Sequence, residues 1–140
     1  ASLDFTMGLY KLYTLDKSLS GITQALELAP DDLNIRLIRL ATFSAIGKIN
    51  PDFALVFDDE LWFQQLIAKN SQSIPPEVKG QFYISMAQAH LLQNTNLSDE
   101  KVQYYLNLYQ EISNKSAQNI AQFQLLEIKL AAADRGHIWK

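Results

Sequence analysis

Two arginines on one predicted helix have the clearest capacity for specific chemistry in this sequence. Arg36 and Arg39 are two of the chain's three arginines, and their spacing places them on the same face of a helix. Phe43 continues that face one turn later. Because a guanidinium can bind a carboxylate through two parallel hydrogen bonds, the pair predicts a binding site for a carboxylate or an acidic segment.

A local interaction explains the same arginines without a ligand. Asp32 precedes Arg36 by four residues, the order in which an acid and a base stabilise a helix, and Glu27 or Asp31 is also within reach. The sequence leaves both interpretations open. They differ in where the two guanidinium groups point, towards a binding groove or towards neighbouring acids on the surface.

The histidines and the acidic residues do not form a catalytic pattern. His90 and His137 are far apart and lack further ligands at metal-binding spacing, and the chain has no cysteine, so no metal or cofactor is predicted. We expect His90 to be a half-buried packing residue with its hydrogen bonds satisfied. We expect His137 to lie in an exposed C-terminal tail.

The run from Asp58 through Asp59 to Glu60 is predicted to be a solvated helix face. Adjacent helical residues point about 100° apart, so these carboxylates cannot converge on one substrate atom. Asp99 and Glu100 fit the first turn of a helix, where acids stabilise the positive end of the dipole. Serine and glycine motifs of hydrolases and phosphate-binding loops are absent from the sequence, and we therefore expect no enzyme.

Helix-breaking residues divide the chain into short amphipathic segments. Pro30 ends a helix that begins at about Asp16 or Ser18, and Asp31 with Asp32 starts the next one. Strands are not predicted, because β-branched residues do not alternate over more than a few positions. The sequence predicts one all-α domain of seven antiparallel helices, over about 3–14, 16–28, 32–47, 52–69, 76–93, 98–113 and 116–133.

The spacing of small and large residues resembles the tetratricopeptide repeat (TPR). Ser18, Ile22, Ala25 and Pro30 stand at the intervals of the second half of that repeat. The first half of the repeat is matched in part by Tyr83, Met86, Ala87 and His90. Its second half, displaced by about three residues, is matched by Val102, Leu106 and Tyr109. The turn Leu28-Ala29-Pro30-Asp31-Asp32 before an arginine-containing helix is also similar to a group of bacterial TPR-like proteins.

This resemblance implies a right-handed α-solenoid of about three hairpins, over 3–29, 31–70 and 76–113, with a capping helix over 116–134. It also implies a non-catalytic scaffold that binds a peptide segment or a partner subunit in a helical groove. The residues expected to line that groove are Arg36, Arg39, Phe43, Gln81, Ile84, Gln88 and Leu91. Plain solvation is the alternative for the two glutamines.

Aromatic residues offer two further sites. Tyr104, Tyr105 and Tyr109 make one predicted helix apolar on more than one side, either because neighbouring helices cover them or because they contact another subunit. A different function, the binding of a small apolar ligand between helical layers, would use aromatic walls. Its predicted walls are Trp62, Phe63, Phe82 and Tyr83.

Charge and hydropathy restrict the partners and leave the compartment open. A formal net charge of -3 without a basic run argues against binding to nucleic acid or to an anionic membrane surface. No apolar run is long enough for a membrane span. The sequence starts at Ala1 without a methionine, which suits an exported protein after removal of a signal peptide, or equally an excised domain; we favour export.

Overall fold

The computed structural model describes the backbone of residues 17–93 and 98–138, which form an all-α fold without strands. Its six helices are α1 over 17–28, α2 (Leu33–Ile46), α3 (Leu55–Asn70), α4 (Pro76–Gln93), α5 (Ser98–Gln110) and α6 (Ala117–Ile138). Single 3-10 turns follow α2 and α3. The all-α prediction is confirmed, and the helix predicted over 3–14 lies outside the described residues.

The joint between α1 and α2 forms as the sequence predicts. The last hydrogen bond of α1 runs from the Ala29 amide to the Ala25 carbonyl, and Pro30 follows in a turn. The Asp32 carboxylate then accepts a hydrogen bond of 3.0 Å from the Ile35 amide and caps α2. Proline stops one helix and aspartate starts the next because each acts on backbone groups within a few residues.

Gly47 ends α2 in a conformation that favours glycine. Its φ of 77° lies in the left-handed region, and its amide donates to the Phe43 carbonyl. A Cβ atom at this position would approach the Leu92 side chain to 3.0 Å. The end of α2 therefore packs closely against α4.

Helix α4 is the centre of the molecule. It contacts α2, α3, α5 and α6, and its six consecutive residues 82–87 are all buried. Neighbouring helices therefore cover most of the circumference of α4 over this stretch. Ala87 is completely buried, in agreement with the small residue expected at a close helix contact.

The core is rich in aromatic rings. Phe63 of α3 stacks on Phe82 of α4 with centroids 5.0 Å apart, and Tyr105 of α5 meets Phe82 edge to face. Burial of the rings links α3, α4 and α5, and Leu19 adds α1 to the same apolar core.

Helix α6 differs from the cap that the resemblance implies. It contacts α4 through its inner side, where Leu126 is buried, but its outer side exposes Ile120, Leu125 and Ile128. A capping helix carries a polar outer face, because that face must meet water. Among the described helices, none is both long and apolar enough to cross a membrane.

Candidate functional site

A buried carboxylate on α3 receives both arginines of α2. Asp59 has no solvent-exposed surface. Arg39 donates to both of its oxygens, from Nε to Oδ2 at 2.9 Å and from Nη2 to Oδ1 at 2.7 Å. Arg36 donates from Nη1 to Oδ1 at 3.1 Å. The carboxylate is held by the fork-shaped geometry that makes arginine suited to buried ion pairs.

Arg36 and Arg39 pair with an acid, as one interpretation proposed, but that acid is Asp59 of α3 rather than the local Asp32. Arg36 also donates from Nε to the Pro30 carbonyl at 2.8 Å, and its guanidinium lies 5.1 Å from the centre of the Trp62 ring. Arg39 is 6% exposed, so its charge is directed into the protein rather than into an open groove. Asp32 caps α2 and does not pair with Arg36 in any described contact. The arginines stabilise the contact between α2 and α3.

The prediction of a solvated acidic face was wrong for two of its three residues. Asp58 is exposed, whereas Asp59 is buried and Glu60 is partly buried. The sequence does carry a signal for Asp59. It stands three residues after Val56 and four before Phe63, which are both buried, and a charge on such a stripe requires a partner.

A second polar network joins Glu60 of α3 to α4 and α5. The Glu60 Oε2 atom accepts from His90 Nε2 at 2.7 Å and from the Tyr105 hydroxyl at 2.5 Å. Gln64 donates to the same hydroxyl at 2.9 Å. His90 is buried and stacks on the Tyr105 ring, so it is the satisfied packing histidine that we expect, though more deeply buried.

The network determines the charge states of Glu60 and Tyr105. Burial acts to raise the pKa of Glu60, but hydrogen bonds from His90 and Tyr105 outweigh burial and leave that pKa below its ordinary value. Burial, together with the Glu60 charge, raises the pKa of Tyr105. At neutral pH the carboxylate is therefore ionised and the phenol remains a neutral donor.

An aromatic cleft lies beside this network, between α3 and α5. Among the described residues, the backbones of α3 and α5 are not in contact, whereas both helices pack on α4, which forms the floor between them. The cleft has a volume of about 330 Å³. Its lining residues are Gln64, Ile67, Ala68, Phe82, Tyr83, Tyr104, Tyr105 and Leu108. Two of the walls predicted for an apolar ligand, Phe82 and Tyr83, are among them.

The other predicted site residues are distributed between core and surface. Phe43 and Ile84 are buried, Gln88 and Leu91 are half-buried, and Gln81 donates to the Ser85 hydroxyl at 2.8 Å. These side chains do not form a single open groove. Of the three tyrosines on α5, Tyr105 and Tyr109 are buried in the core, and neighbouring helices cover them as one prediction proposed. Tyr104 is 55% exposed at the cleft.

The described part of the chain contains no group of three or more His, Cys, Asp or Glu residues that could hold a metal ion. Its buried charges are paired with one another, whereas the cleft is lined by no charged side chain and exposes mainly Gln64, Ala68 and Tyr104. Comparisons of this chain with protein families, curated proteins and solved structures found no match. Its function therefore has to be inferred from the chemistry of the cleft.

Proposed function

We propose that this chain is a non-catalytic binding domain that takes apolar side chains of a protein segment into the cleft between α3 and α5. The observation that carries this proposal is an uncharged cleft, with Tyr104 exposed at its rim and buried rings at its base, whose adjoining polar groups are already paired. The Tyr105 hydroxyl donates to Glu60 and accepts from Gln64. A catalytic site needs polar groups free to reach a substrate, whereas a binding cleft needs apolar area and few polar atoms.

The shape of the cleft favours a protein segment as the occupant. Two helices, α3 and α5, flank a floor of α4, an arrangement suited to receiving a helix or an extended strand. Leu61 lies two turns before Ala68 on the same face of α3 and is exposed. This face of α3 therefore carries a second exposed apolar side chain two turns from Ala68, with Gln64 and Gln65 between them, over a length that suits a chain segment better than a small molecule.

The contacts between helices support a TPR-like solenoid as the framework of this function. Consecutive helices α2 and α3, and then α4 and α5, contact each other across short connectors, and α4 also contacts α2 and α6. Contacts between neighbouring helix pairs are typical of helical repeats. In such a framework the cleft lies between the second helices of two successive hairpins.

Binding of a small apolar ligand is the second candidate. The cleft volume of about 330 Å³ is within the range of ligand pockets, and the predicted walls Phe82 and Tyr83 line it. Phe63 lies behind Phe82 rather than at the surface. Trp62 is not a lining residue and instead contacts Arg36.

Selection of peptides on the folded protein tests the proposal. Peptides from a display library should bind the native chain and lose at least about tenfold in affinity on Tyr104→Arg, which places a charge in the apolar cleft. Leu125→Arg is the matched control, because Leu125 is 61% exposed on α6 outside the cleft. Equal loss with both variants, or with neither, would contradict the proposal. The second candidate, a small apolar ligand, would be favoured by a different result: no peptide is selected, and a small apolar dye binds the native chain but not the Tyr104→Arg variant.

A further inference from the structure

The outer side of α6 forms an apolar stripe that faces solvent. Its residues fall within one sector of about 140° around the helix axis, and this sector contains no charged residue. Exposed apolar surface that is collected in one place marks a site of interaction with another molecule. The exposed residues of this α6 stripe are Ala117, Ile120, Ala121, Gln124, Leu125 and Ile128.

The exposed apolar side chains of the protein are concentrated on the α6 stripe and at the cleft. Of the eight large apolar side chains exposed in the described residues, three belong to the stripe and two, Leu61 and Tyr104, lie on the walls of the cleft. Ile120 and Ile128 are about 12 Å apart along α6, and Leu61 and Ala68 are about 11 Å apart along α3. The stripe is a convex helix surface, whereas the cleft is concave, so the two match in shape, length and apolar character.

The two ends of the cleft carry charges in opposite order. The walls α3 and α5 run in the same direction, because Tyr105 is bonded to Glu60, while Leu108, further along α5, lines the cleft with Ala68, further along α3. At the first end α3 has an exposed acid and α5 an exposed base, and at the second end the order is reversed. The residues are Asp58 and Lys101 at the first end, and Lys69 and Glu111 at the second.

The α6 stripe has one acid and one base on its opposite edges. Glu127 and Lys129 are exposed, and each lies about 100° from the centre of the stripe. Because all these helices are right-handed, a stripe laid in the cleft parallel to α5 brings Lys129 to the acid and Glu127 to the base of the second end. Laid in the opposite direction, it brings the same two residues to the acid and the base of the first end. Opposite charges therefore meet in either direction.

Resting on the proposed function, we propose that the protein segment taken into the cleft is helix α6 of a second copy of this chain. Within one molecule the two surfaces do not meet, because α6 packs on α4 through the buried Leu126 and its stripe remains exposed. The contact therefore joins unlike surfaces of two copies. Such a contact leaves one stripe and one cleft free in every dimer, so that further copies add until a ring closes or a chain extends.

Mixing of two variants in analytical ultracentrifugation tests this arrangement. The average mass of the native chain should rise with concentration beyond that of a dimer. Tyr104→Arg blocks the cleft and Leu125→Arg blocks the α6 stripe, so each variant alone should associate at least about tenfold more weakly than the native chain. Each variant keeps the surface that the other has lost. An equimolar mixture should therefore form a dimer with one copy of each variant, and no larger species.

Other outcomes would overturn the inference. Native-like association of either variant alone would mean that like surfaces are in contact, two stripes or two clefts. A native chain that remains monomeric at about 1 mM would also overturn it, since even small interfaces are populated at that concentration. Binding of display-selected peptides at Tyr104 would then decide the proposed function separately. Ile49→Arg is the control and should associate like the native chain, because Ile49 is exposed and lies in neither surface.

Charge reversal gives the direction of α6 in the cleft. Glu111→Lys should weaken association by about twofold to fivefold if α6 lies parallel to α5, and Lys129→Glu in the same chain should restore it. Lys101→Glu combined with Glu127→Lys is the corresponding pair for the opposite direction. Circular dichroism verifies the fold of each variant. Recovery in one pair would support the inference, and recovery in neither would overturn the placement of α6 between the two walls.

Discussion

Asp59 is a carboxylate without solvent contact, and two guanidinium groups make its burial possible. Their attraction for the carboxylate offsets the loss of hydration of all three charges. Such a cluster need not be more stable than an apolar one of the same shape. Removal of one member is strongly destabilising, because the charges that remain are buried without a partner of opposite charge.

Asp59→Asn should therefore lower the free energy of unfolding by about 3–5 kcal/mol, because Arg39 is left buried without a counter-charge. Asp58→Asn changes the same chemical group at the adjacent, exposed position and should alter the free energy by no more than about 0.5 kcal/mol. Urea denaturation of the two variants measures the difference. Similar values for both would mean that Asp59 is not paired inside the protein.

Glu60 makes stability depend on pH in a defined direction. Its pKa is lowered in the folded state from an ordinary value of 4.5, so its contribution is fully present above 4.5 and is lost as pH falls through the folded value. Glu60→Gln cannot titrate. The free energy of unfolding of this variant should fall less steeply than that of the native chain between about pH 5 and pH 3. Parallel pH profiles would show that His90 and Tyr105 do not stabilise the carboxylate.

At the scale of the elements, the contact between α4 and α6 depends on the absence of a side chain at Gly80. A Cβ atom there would lie 2.4 Å from Asn119 Nδ2, which donates to the Glu77 carbonyl at 3.0 Å. The Asn119 side chain would have to move and would lose that hydrogen bond. Gly80 therefore allows the close approach of the two helices.

Gly80→Ala should lower the free energy of unfolding by about 1–3 kcal/mol through overpacking. Gly21→Ala is the same change in α1, where the added Cβ atom would have no neighbour within 4 Å. This variant should raise the free energy of unfolding by about 0.5–1 kcal/mol, because alanine has a higher helix propensity than glycine. Thermal denaturation of both variants provides the comparison. A stabilised Gly80→Ala variant would show that α6 can move away from α4 without loss.

The helices were predictable from local chemistry, whereas their side-chain partners were not. Pro30, Gly47 and Pro76 act on the backbone within one or two turns, and the predicted boundaries around them agree with the structure to within a few residues. The partner of Arg36 lies 23 residues away on another helix. Neither the acid that Arg36 meets nor the three helices that enclose the cleft can be read from helical spacing alone.

At the scale of the whole molecule, stability should be highest in α4. Its residues 82–87 are buried consecutively, and four neighbouring helices pack around it, so exposure of its amides requires the molecule to unfold. The outer side of α6 faces solvent at Leu125 and Ile128. Opening of α6 therefore disrupts less buried surface than opening of α4.

The central amides of α4 should therefore exchange with an opening free energy close to that of global unfolding. The amides of α6 should exchange with a smaller opening free energy. Exchange followed by mass spectrometry of peptides from both helices measures this difference. Asp59→Asn supplies the control, because it should reduce α4 protection by as much as it reduces global stability. Slower exchange in α6 than in α4 would contradict the central position of α4.

The hydrogen bonds of Arg36 have a mechanical consequence for the turn between α1 and α2. One side chain is bonded to the Pro30 carbonyl in the turn and to Asp59 on α3. A tension that peels α1 away from the molecule would reach Pro30 and pass through this guanidinium to α3. The turn therefore acts as a stiff coupling rather than a hinge, and α2 and α3 should resist such a pull as a unit.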